Sequence, residues 1–232
     1  MTDAKPMVLV IEDEPQMRRF LHAALESHHY RPVEATTALE GVAQATSRNP
    51  DVILLDLGLP DADGIDLTRR IREWSATPII VISARGKEQD KIAALDAGAD
   101  DYLTKPFDVG ELMARLRVAL RHAARPAGAA QDPVFAVGDL RVDLVKRQVF
   151  VGASEVHLTP TEYKLLTLMI RHAGKVLTHR QLLKDVWGPN AVEHAHYVRV
   201  YMTQLRRKLE ADATRPTYLL TEPGVGYRLR AE

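Results

Sequence analysis

DVILLDLGLPDADGID (residues 51–66) combines an apolar strand, a carboxylate at the end of that strand and the start of a helix. The run DVILL is almost wholly apolar, which is typical of a central strand buried on both faces of a sheet. Asp56 follows it directly, and from residue 64 apolar residues recur three or four positions apart. A strand followed at once by a helix is the repeating unit of a parallel sheet.

The same unit recurs throughout the first half of the chain. Its predicted strands are MVLVI (7–11), RPVEA (31–35), DVILL (51–55), PIIVIS (78–83) and DYLT (101–104). Its predicted helices are 15–27, 37–48, 64–73, 86–97 and 108–121. This alternation predicts an α/β doubly wound, five-stranded parallel sheet, in which the less apolar RPVEA is an edge strand. Ligands of such sheets bind where the strands end.

The second half follows a different pattern. The Ala-, Pro- and Gly-rich stretch HAARPAGAAQDP (122–133) predicts a linker between a domain of residues 1–121 and one of residues 134–232. Beyond it, short strand-like pieces precede predicted helices that begin at Thr159, near Thr178 and near Glu193. A final hairpin has TYLLTE and GYRLR as its arms. Three helices followed by a hairpin predict a winged-helix domain.

The composition of the chain excludes several kinds of site and indicates which half could bind a polyanion. The 232 residues include no cysteine, which excludes disulfides, thiolate catalysis and cysteine-ligated metals. No stretch is apolar enough to span a bilayer, and the chain turns acidic too early for a signal peptide, so we expect a cytoplasmic protein. Residues 1–125 hold 16 Lys and Arg against 20 Asp and Glu, whereas the remainder holds 15 against 11. The second half is therefore the better candidate for binding a polyanion.

Five chemically suited residues stand at or after the ends of predicted strands: Glu12, Asp13, Asp56, Ser83 and Lys105. A single Asp in such a place is usually a helix cap or turn former. Clustered carboxylates, however, repel one another unless a cation neutralises them, and an all-oxygen site favours Mg²⁺. Asp56 is then placed to act as a nucleophile towards phosphorus. Lys105 would screen the phosphoryl charge, and the Ser83 hydroxyl would hydrogen-bond the new phosphoryl group.

This constellation, with the segment LLDLGLPDADGID (54–66), resembles the response-regulator receiver family, whose domains have a flavodoxin-like fold. The resemblance covers about residues 7–121. It implies that Asp56 accepts a phosphoryl group from a sensor histidine kinase in a two-component system. It further implies that the carbonyl of Gly58 is a metal ligand and that Ser83 and Tyr102 form a conformational switch. Simple core packing remains the alternative for Tyr102.

Charges of both signs cover the predicted helices 86–97 and 108–121 and the strand between them. A solvated surface is the plain alternative, since exposed ion pairs contribute little. In the OmpR/PhoB subfamily, however, receivers dimerise through this face. The resemblance implies that Lys91 pairs with Glu111, and Asp101 with Arg115, across a two-fold axis. A further bridge would join Asp100 to Arg121 or to His122, which replaces an arginine common in that subfamily.

The stretch EHAHYVRVYMTQLRRKLE (193–210) divides into two faces at helical spacing. One face is apolar: Val198, Met202, Leu205 and Leu209. The opposite face is polar and basic: His196, Arg199, Thr203, Arg206 and Arg207. Such a helix is suited to the major groove of double-stranded DNA, although basic faces are often merely solvated.

The strings LTPTEYKLL (158–166), GKVLTHRQLL (174–183) and GVGYRL (224–229) resemble the OmpR/PhoB winged-helix effector domain. The resemblance implies a promoter-binding transcription regulator that forms a homodimer on phosphorylation, with helix 193–209 as the recognition helix. It also implies that Tyr227 and Arg228 anchor the wing beside the DNA backbone. The wing tip, TEPGVGY, lacks the arginine that many members carry there, which weakens the expectation of minor-groove contact.

Two other functions compete with this interpretation. An aspartate-nucleophile phosphatase or phosphotransferase acting on small molecules would also use Asp56, but such phosphatases commonly carry a second acid where this chain has Gly58. A constitutive architectural DNA binder would leave the acidic cluster unexplained. We therefore expect a regulator that accepts and slowly loses a phosphoryl group, and not a turnover enzyme.

Overall fold

The computed structural model describes residues 5–123, 133–189 and 195–231 of the chain. The chain divides into two compact units, Met1–Pro126 and Ala127–Glu232, each described here by itself. The division falls within the predicted linker, of which residues 124–132 lie outside the described residues, as does the side chain of His122.

The first unit alternates strands and helices. In chain order these are β1 Met7–Ile11, α1 Pro15–Ser27, β2 Arg31–Ala35, α2 Ala38–Arg48, β3 Val52–Leu55, α3 Gly64–Arg72, β4 Ile79–Ser83, α4 Glu88–Asp96, β5 Asp101–Thr104 and α5 Val109–Ala123. The strands form one parallel sheet in the order β2-β1-β3-β4-β5. The predicted doubly wound sheet is confirmed, with β2 at an edge.

Burial explains why these segments form these elements. Every residue of β3 and β4 is buried, as central strands covered on both faces require, whereas β2 is mostly half-buried. Thr37 and Asp63 cap α2 and α3 by accepting hydrogen bonds from Glu40 N and Ile65 N. These caps fix where each helix begins.

Within its described residues, the second unit contains two antiparallel sheets and three helices. Its elements are β6 Val134–Val137, β7 Leu140–Asp143, β8 Gln148–Val151, β9 Ser154–Glu155, α6 Pro160–Arg171, β10 Val176–Thr178, α7 His179–Trp187, α8 Ala195–Leu209, β11 Leu219–Glu222 and β12 Gly226–Leu229. The first four strands form a meander, and β10 joins the terminal hairpin in the order β10-β12-β11. The predicted start of the third helix, near Glu193, lies outside the described residues.

Candidate functional site

Three carboxylates meet at one edge of the parallel sheet. Because β1 lies beside β3, with Ile11 opposite Leu55, the residues that follow these two strands are neighbours. One oxygen atom from each of Glu12, Asp13 and Asp56 lies within 4.8 Å of the others. The fold thus brings together the three carboxylates that the sequence predicts as metal ligands.

Lys105, which follows β5, binds two of these carboxylates. Its Nζ donates to Glu12 Oε2 at 2.7 Å and to Asp56 Oδ2 at 2.9 Å. Burial lowers the pKa of Lys105, but the hydrogen bonds and negative charges of the two carboxylates outweigh burial and raise it. The ammonium group therefore remains charged at neutral pH and holds one oxygen of Asp56.

The Glu12 carboxyl lies in the most buried part of the cluster. Burial raises its pKa and the neighbouring charge of Asp56 adds to that effect, while the hydrogen bond from Lys105 opposes both. Converging oxygen ligands of this kind match the preference of Mg²⁺. Gly58, whose carbonyl the resemblance implies as a further ligand, lies two residues beyond Asp56 with its N–H 3.4 Å from Asp56 Oδ1.

The two predicted switch residues meet at the loop that follows β4. Ser83 is buried, and its Oγ accepts a hydrogen bond from Arg85 N at 3.2 Å. Tyr102 is also buried, and its hydroxyl donates to the carbonyl of Arg85 at 2.5 Å. Burial raises the pKa of Tyr102, and a hydrogen bond with Ser83 opposes that shift. Tyr102 is thus buried and joined to the loop after β4, and its role in a switch stays a prediction.

Arg85 is a residue that the sequence reasoning missed. Its Nη1 donates to Asp63 Oδ2 at 2.8 Å and its Nη2 to the Leu57 carbonyl at 3.3 Å. These bonds tie the loop after β4 to the loop that begins at Asp56. Its place two residues after Ser83 was the available signal, since side chains at strand ends converge on the site.

The predicted dimer face contains ion pairs within the single chain. Arg115 donates to Asp101 Oδ2 and to Glu111 Oε1, each at 2.6 Å. Lys91 Nζ lies 5.8 Å from the centre of the Tyr102 ring, and Arg121 is half-buried on α5. The pairing of Lys91 with Glu111, and of Asp101 with Arg115, across two chains stays a prediction.

Asp100 has a partner that the sequence did not indicate. Its Oδ2 accepts hydrogen bonds from Arg72 Nη2 at 2.7 Å and from Ile79 N at 2.8 Å. Arg72 also donates to the carbonyls of Gly98 and Thr77 at 2.8 and 2.6 Å. Asp100 is thereby part of a clamp between α3, β4 and the turn before β5, and its bridge to Arg121 or His122 stays a prediction.

Helix α8 has the two faces that its sequence predicts. The apolar residues Val198, Met202, Leu205 and Leu209 are all buried. Of the polar face, the exposed residues are His196, Arg199, Thr203 and Arg207.

Arg206, from the same polar face, is only partly exposed because it bonds to the terminal hairpin. Its Nε donates to the Leu219 carbonyl at 2.9 Å, and its Nη2 donates to Thr221 Oγ1 at 2.6 Å. Its guanidinium carbon also lies 5.6 Å from the centre of the Tyr227 ring. Arg206 therefore joins α8 to the wing, and its predicted contact with DNA stays a prediction.

Two further wing residues are held inside the domain. Arg228 Nε donates to Glu222 Oε1 at 3.0 Å, and its Nη1 donates to the Gly174 carbonyl at 3.2 Å. Tyr227 is buried and packs edge-on against His179, with ring centres 5.5 Å apart. Both side chains stabilise the hairpin, and their predicted role of anchoring the wing beside the DNA backbone stays a prediction. Within the described ranges, no helix has the length and apolar character needed to cross a bilayer.

Comparisons with known proteins cover nearly the whole chain. The family model "Response regulator receiver domain" matches residues 8–117, and "Transcriptional regulatory protein, C terminal" matches residues 153–229. The KDP operon transcriptional regulatory protein KdpE of Escherichia coli (strain K12) is 58% identical over 221 residues, which cover 95% of this chain and 97% of that protein. Transcriptional regulatory protein KdpE of Mycobacterium tuberculosis (strain ATCC 25618 / H37Rv) is 48% identical over 225 residues, or 97% of this chain and 99% of that protein.

Among solved structures, response regulator DrrB of Thermotoga maritima, an OmpR/PhoB homolog, gives a TM-score of 0.51 at 27% identity. The match covers 97% of this chain and 99% of DrrB. The strings WGPNAVEHAHYVRVYM (187–202), LDLGLPDADGID (55–66) and ALDAGADDYLTKPF (94–107) predict a likeness to KdpE, and the identities above confirm it.

Proposed function

Because this chain belongs to the OmpR/PhoB family of two-component response regulators, we propose that phosphorylation of Asp56 controls promoter binding by its second unit. The observation that carries the proposal is the geometry around Asp56. One carboxylate oxygen is 2.9 Å from the Lys105 ammonium, and the acids Glu12 and Asp13 stand close by. A nucleophile, a fixed positive charge and a cation-binding acidic pair are the components that phosphoryl transfer to aspartate needs.

In the proposed reaction a carboxylate oxygen of Asp56 attacks the phosphorus atom of a phosphohistidine on a sensor kinase. The O–P bond forms as the P–N bond breaks, and the electron pair returns to the imidazole nitrogen. Lys105 stabilises charge on the phosphoryl oxygens from its position beside Asp56. When bound by Glu12, Asp13, Asp56 and the Gly58 carbonyl, Mg²⁺ supplies further positive charge at the phosphoryl group.

The response to phosphorylation is proposed to pass through Ser83 and Tyr102. The Ser83 hydroxyl lies at the end of β4, where it can turn from Arg85 N to an oxygen of the phosphoryl group. Any such movement changes the surroundings of Arg85, whose carbonyl accepts the Tyr102 hydroxyl. The proposed result of phosphorylation is a receiver dimer, formed through Lys91, Glu111, Asp101 and Arg115.

DNA contact is proposed for the exposed face of α8. His196, Arg199, Thr203 and Arg207 have their side chains in solvent, as residues that reach bases and phosphates must. Arg206 and Arg228 are secondary candidates because each already binds backbone carbonyls of its own domain.

By analogy with the KdpE proteins, the proposed target is the promoter of a potassium-transport (kdp) operon, and the proposed phosphodonor is a KdpD-like histidine kinase. With a promoter as its target and a sensor kinase as its phosphodonor, the chain is proposed to act in the cytoplasm. The phosphatase alternative is not supported, since the matched family models describe a response regulator receiver domain and the C terminus of a transcriptional regulatory protein, and Gly58 stands where a second acid is expected.

The proposal is tested by footprinting genomic DNA with the phosphorylated chain, the unphosphorylated chain and the Asp56→Asn variant. We expect protection of a kdp promoter that depends on phosphorylation and is lost in the variant. Stable phosphorylation of the variant by a small phosphodonor with Mg²⁺ would show that Asp56 is not the acceptor. Protection that is the same in all three samples would contradict control by phosphorylation.

A further inference from the structure

The loop of residues 12–14, which carries Glu12 and Asp13, is held by contacts from β2 and from α1. At its start, Glu12 N donates to the Ala35 carbonyl at 3.0 Å, which extends the pairing of β1 with β2. From the other side, Arg18 of α1 reaches back over the loop, and its Nη1 donates to the carbonyls of Glu12 at 3.0 Å and Asp13 at 2.9 Å. One guanidinium nitrogen thus joins the backbone of both acidic residues.

The position of Arg18 is unusual for a cation. It is the fourth residue of α1, which begins at Pro15 and has no acidic residue in its first turn. The helix dipole disfavours positive charge near an N-terminus, so a cation there is expected to be stabilised by other contacts. Helical side chains lean towards the N-terminus, which directs Arg18 to the carbonyls of the preceding loop.

A second contact fixes the direction of the Arg18 side chain. Its Nε lies 3.3 Å from Glu34 Oε2 on β2, while the other oxygen of Glu34 is 2.5 Å from His22 Nδ1. Arg18 is mostly buried between these groups, with 18% of its side chain exposed. Glu34 also neutralises its charge locally, so Arg18 acts on the loop mainly through the geometry of its hydrogen bonds.

From these contacts we infer that Arg18 is a positioning residue for the cation site: it holds the backbone of Glu12 and Asp13 so that their carboxylates converge with Asp56. This inference rests on the proposed function of that site. Asp13 depends on Arg18 more than Glu12 does, because the Glu12 carboxylate is also held by Lys105 at 2.7 Å. Residues that orient metal ligands commonly contribute about 10-fold to 100-fold in affinity.

The sign of the effect separates positioning from simple charge repulsion. Removal of a positive charge near a cation site, if charge alone mattered, would strengthen Mg²⁺ binding. Loss of a positioning contact weakens it. Arg19 offers a matched control, because it is an exposed arginine on the same helix and its side chain donates to the Pro15 carbonyl at 3.1 Å.

The test is a Mg²⁺ titration of the full unphosphorylated chain by calorimetry, with the melting temperature of each variant recorded alongside. We expect Arg18→Ala to raise the dissociation constant for Mg²⁺ about 10-fold, and Arg19→Ala to leave it unchanged. Arg18→Lys keeps the charge but loses the Nε contact with Glu34 that directs the side chain, so we expect an increase of about threefold.

An Arg18→Ala dissociation constant equal to or below that of the wild type would overturn the inference. If that variant does not fold, Arg18→Lys decides alone, and a wild-type value would again overturn it. If the wild-type chain binds no Mg²⁺, or binds it no more tightly than the Asp13→Asn variant does, the proposed cation site itself is wrong. The two failures are thereby distinguished.

Discussion

At the scale of single residues, the Lys105 ammonium is the group whose chemical contribution is easiest to isolate. It donates to Glu12 and Asp56, and no other described lysine binds either carboxylate. We expect Lys105→Met, which keeps the chain length and removes the charge, to slow phosphorylation of Asp56 by a small phosphodonor about 100-fold. The measurement is the rate of phosphoprotein formation on phosphate-affinity gels.

Lys87→Met is the control for that experiment, since Lys87 is an exposed lysine just before α4. Its rate is expected to equal that of the wild type. A Lys105→Met rate within about twofold of the wild type would contradict a role for the ammonium group in stabilising the transferring phosphoryl group.

Arg206 and Arg207 are adjacent in sequence but differ in their surroundings. Arg206 donates to Leu219 and Thr221, whereas Arg207 is exposed. We expect Arg206→Ala to lower the free energy of unfolding by about 2 kcal/mol, because charged hydrogen bonds to the hairpin are lost. Arg207→Ala should leave the free energy of unfolding unchanged and weaken promoter binding. It should also reduce the slope of log Kd against log salt concentration by about one.

Urea denaturation and salt-dependent DNA titrations of the two variants, in parallel, measure both effects. If Arg207→Ala lost stability and Arg206→Ala did not, the roles given to the two arginines would be reversed.

Arg206 and Arg207 also show which features of single residues the sequence does not predict. Helical spacing predicts that Arg206 and Arg207 both lie on the polar face of α8, but in the structure only Arg207 is exposed. It cannot predict that one long side chain turns back onto Leu219, because that carbonyl lies 13 residues further along the chain. The partner of Asp100 was missed for the same reason, since Arg72 precedes it by 28 residues.

At the scale of elements, α6 carries a capping arrangement that is sensitive to pH. Glu162 Oε2 accepts hydrogen bonds from Thr159 N and from Lys208 Nζ, both at 2.7 Å. Burial raises the pKa of Glu162, but the hydrogen bonds from Lys208 and Thr159 outweigh burial and lower it below the ordinary 4.5. Since the pKa is lower in the folded state, the stabilisation is complete above the unfolded value and is lost as pH falls through the folded one.

We therefore expect Glu162→Gln to lower the free energy of unfolding at neutral pH by about 2 kcal/mol, because a charged hydrogen-bond acceptor is lost. The difference from the wild type should shrink below pH 4.5, where Glu162 begins to take up a proton in the unfolded chain. Urea denaturation at neutral pH and in acid measures it, with the exposed Glu155→Gln as control. A difference that is constant with pH would show that the carboxylate charge contributes nothing.

Sequence predicted the elements of the first unit more completely than those of the second. The apolar runs of β1, β3 and β4 fix those strands within a residue, because full burial leaves a continuous signal. Strand β10 was missed, since its three residues are too few to show a period and its partner β12 lies about 50 residues away. Gly226 is the residue in the sequence that reflects the pairing of β10 with β12, because a Cβ there would overlap the Leu177 carbonyl.

At the scale of the whole molecule, the proposed phosphorylation site at Asp56 and the proposed DNA-binding helix α8 belong to different units of the chain. Control of one by the other therefore requires a link between them. The proposed dimerisation of the first units would provide such a link, because it would make binding of a second effector unit to an adjacent half-site effectively intramolecular.

The proposed dimer predicts that reversing one charge breaks an interface that a second reversal restores. Lys91 is expected to pair with Glu111 of the other chain, although Glu111 also accepts from Arg115 in its own chain at 2.6 Å. We expect Lys91→Glu to weaken the dimer of the phosphorylated chain about 10-fold, because two like charges then face each other. Lys91→Glu combined with Glu111→Lys should recover most of that loss.

Sedimentation equilibrium of the phosphorylated variants measures the dimer dissociation constant, and promoter titrations on paired half-sites measure its consequence for DNA binding. Both quantities should change together, since the second unit gains affinity only through the dimer. Unphosphorylated samples of each variant control for association that does not depend on Asp56. If Lys91→Glu dimerised as the wild type does, or if the double variant dimerised no better than Lys91→Glu, then Lys91 and Glu111 would not pair across the interface, and a different surface would have to join the two chains.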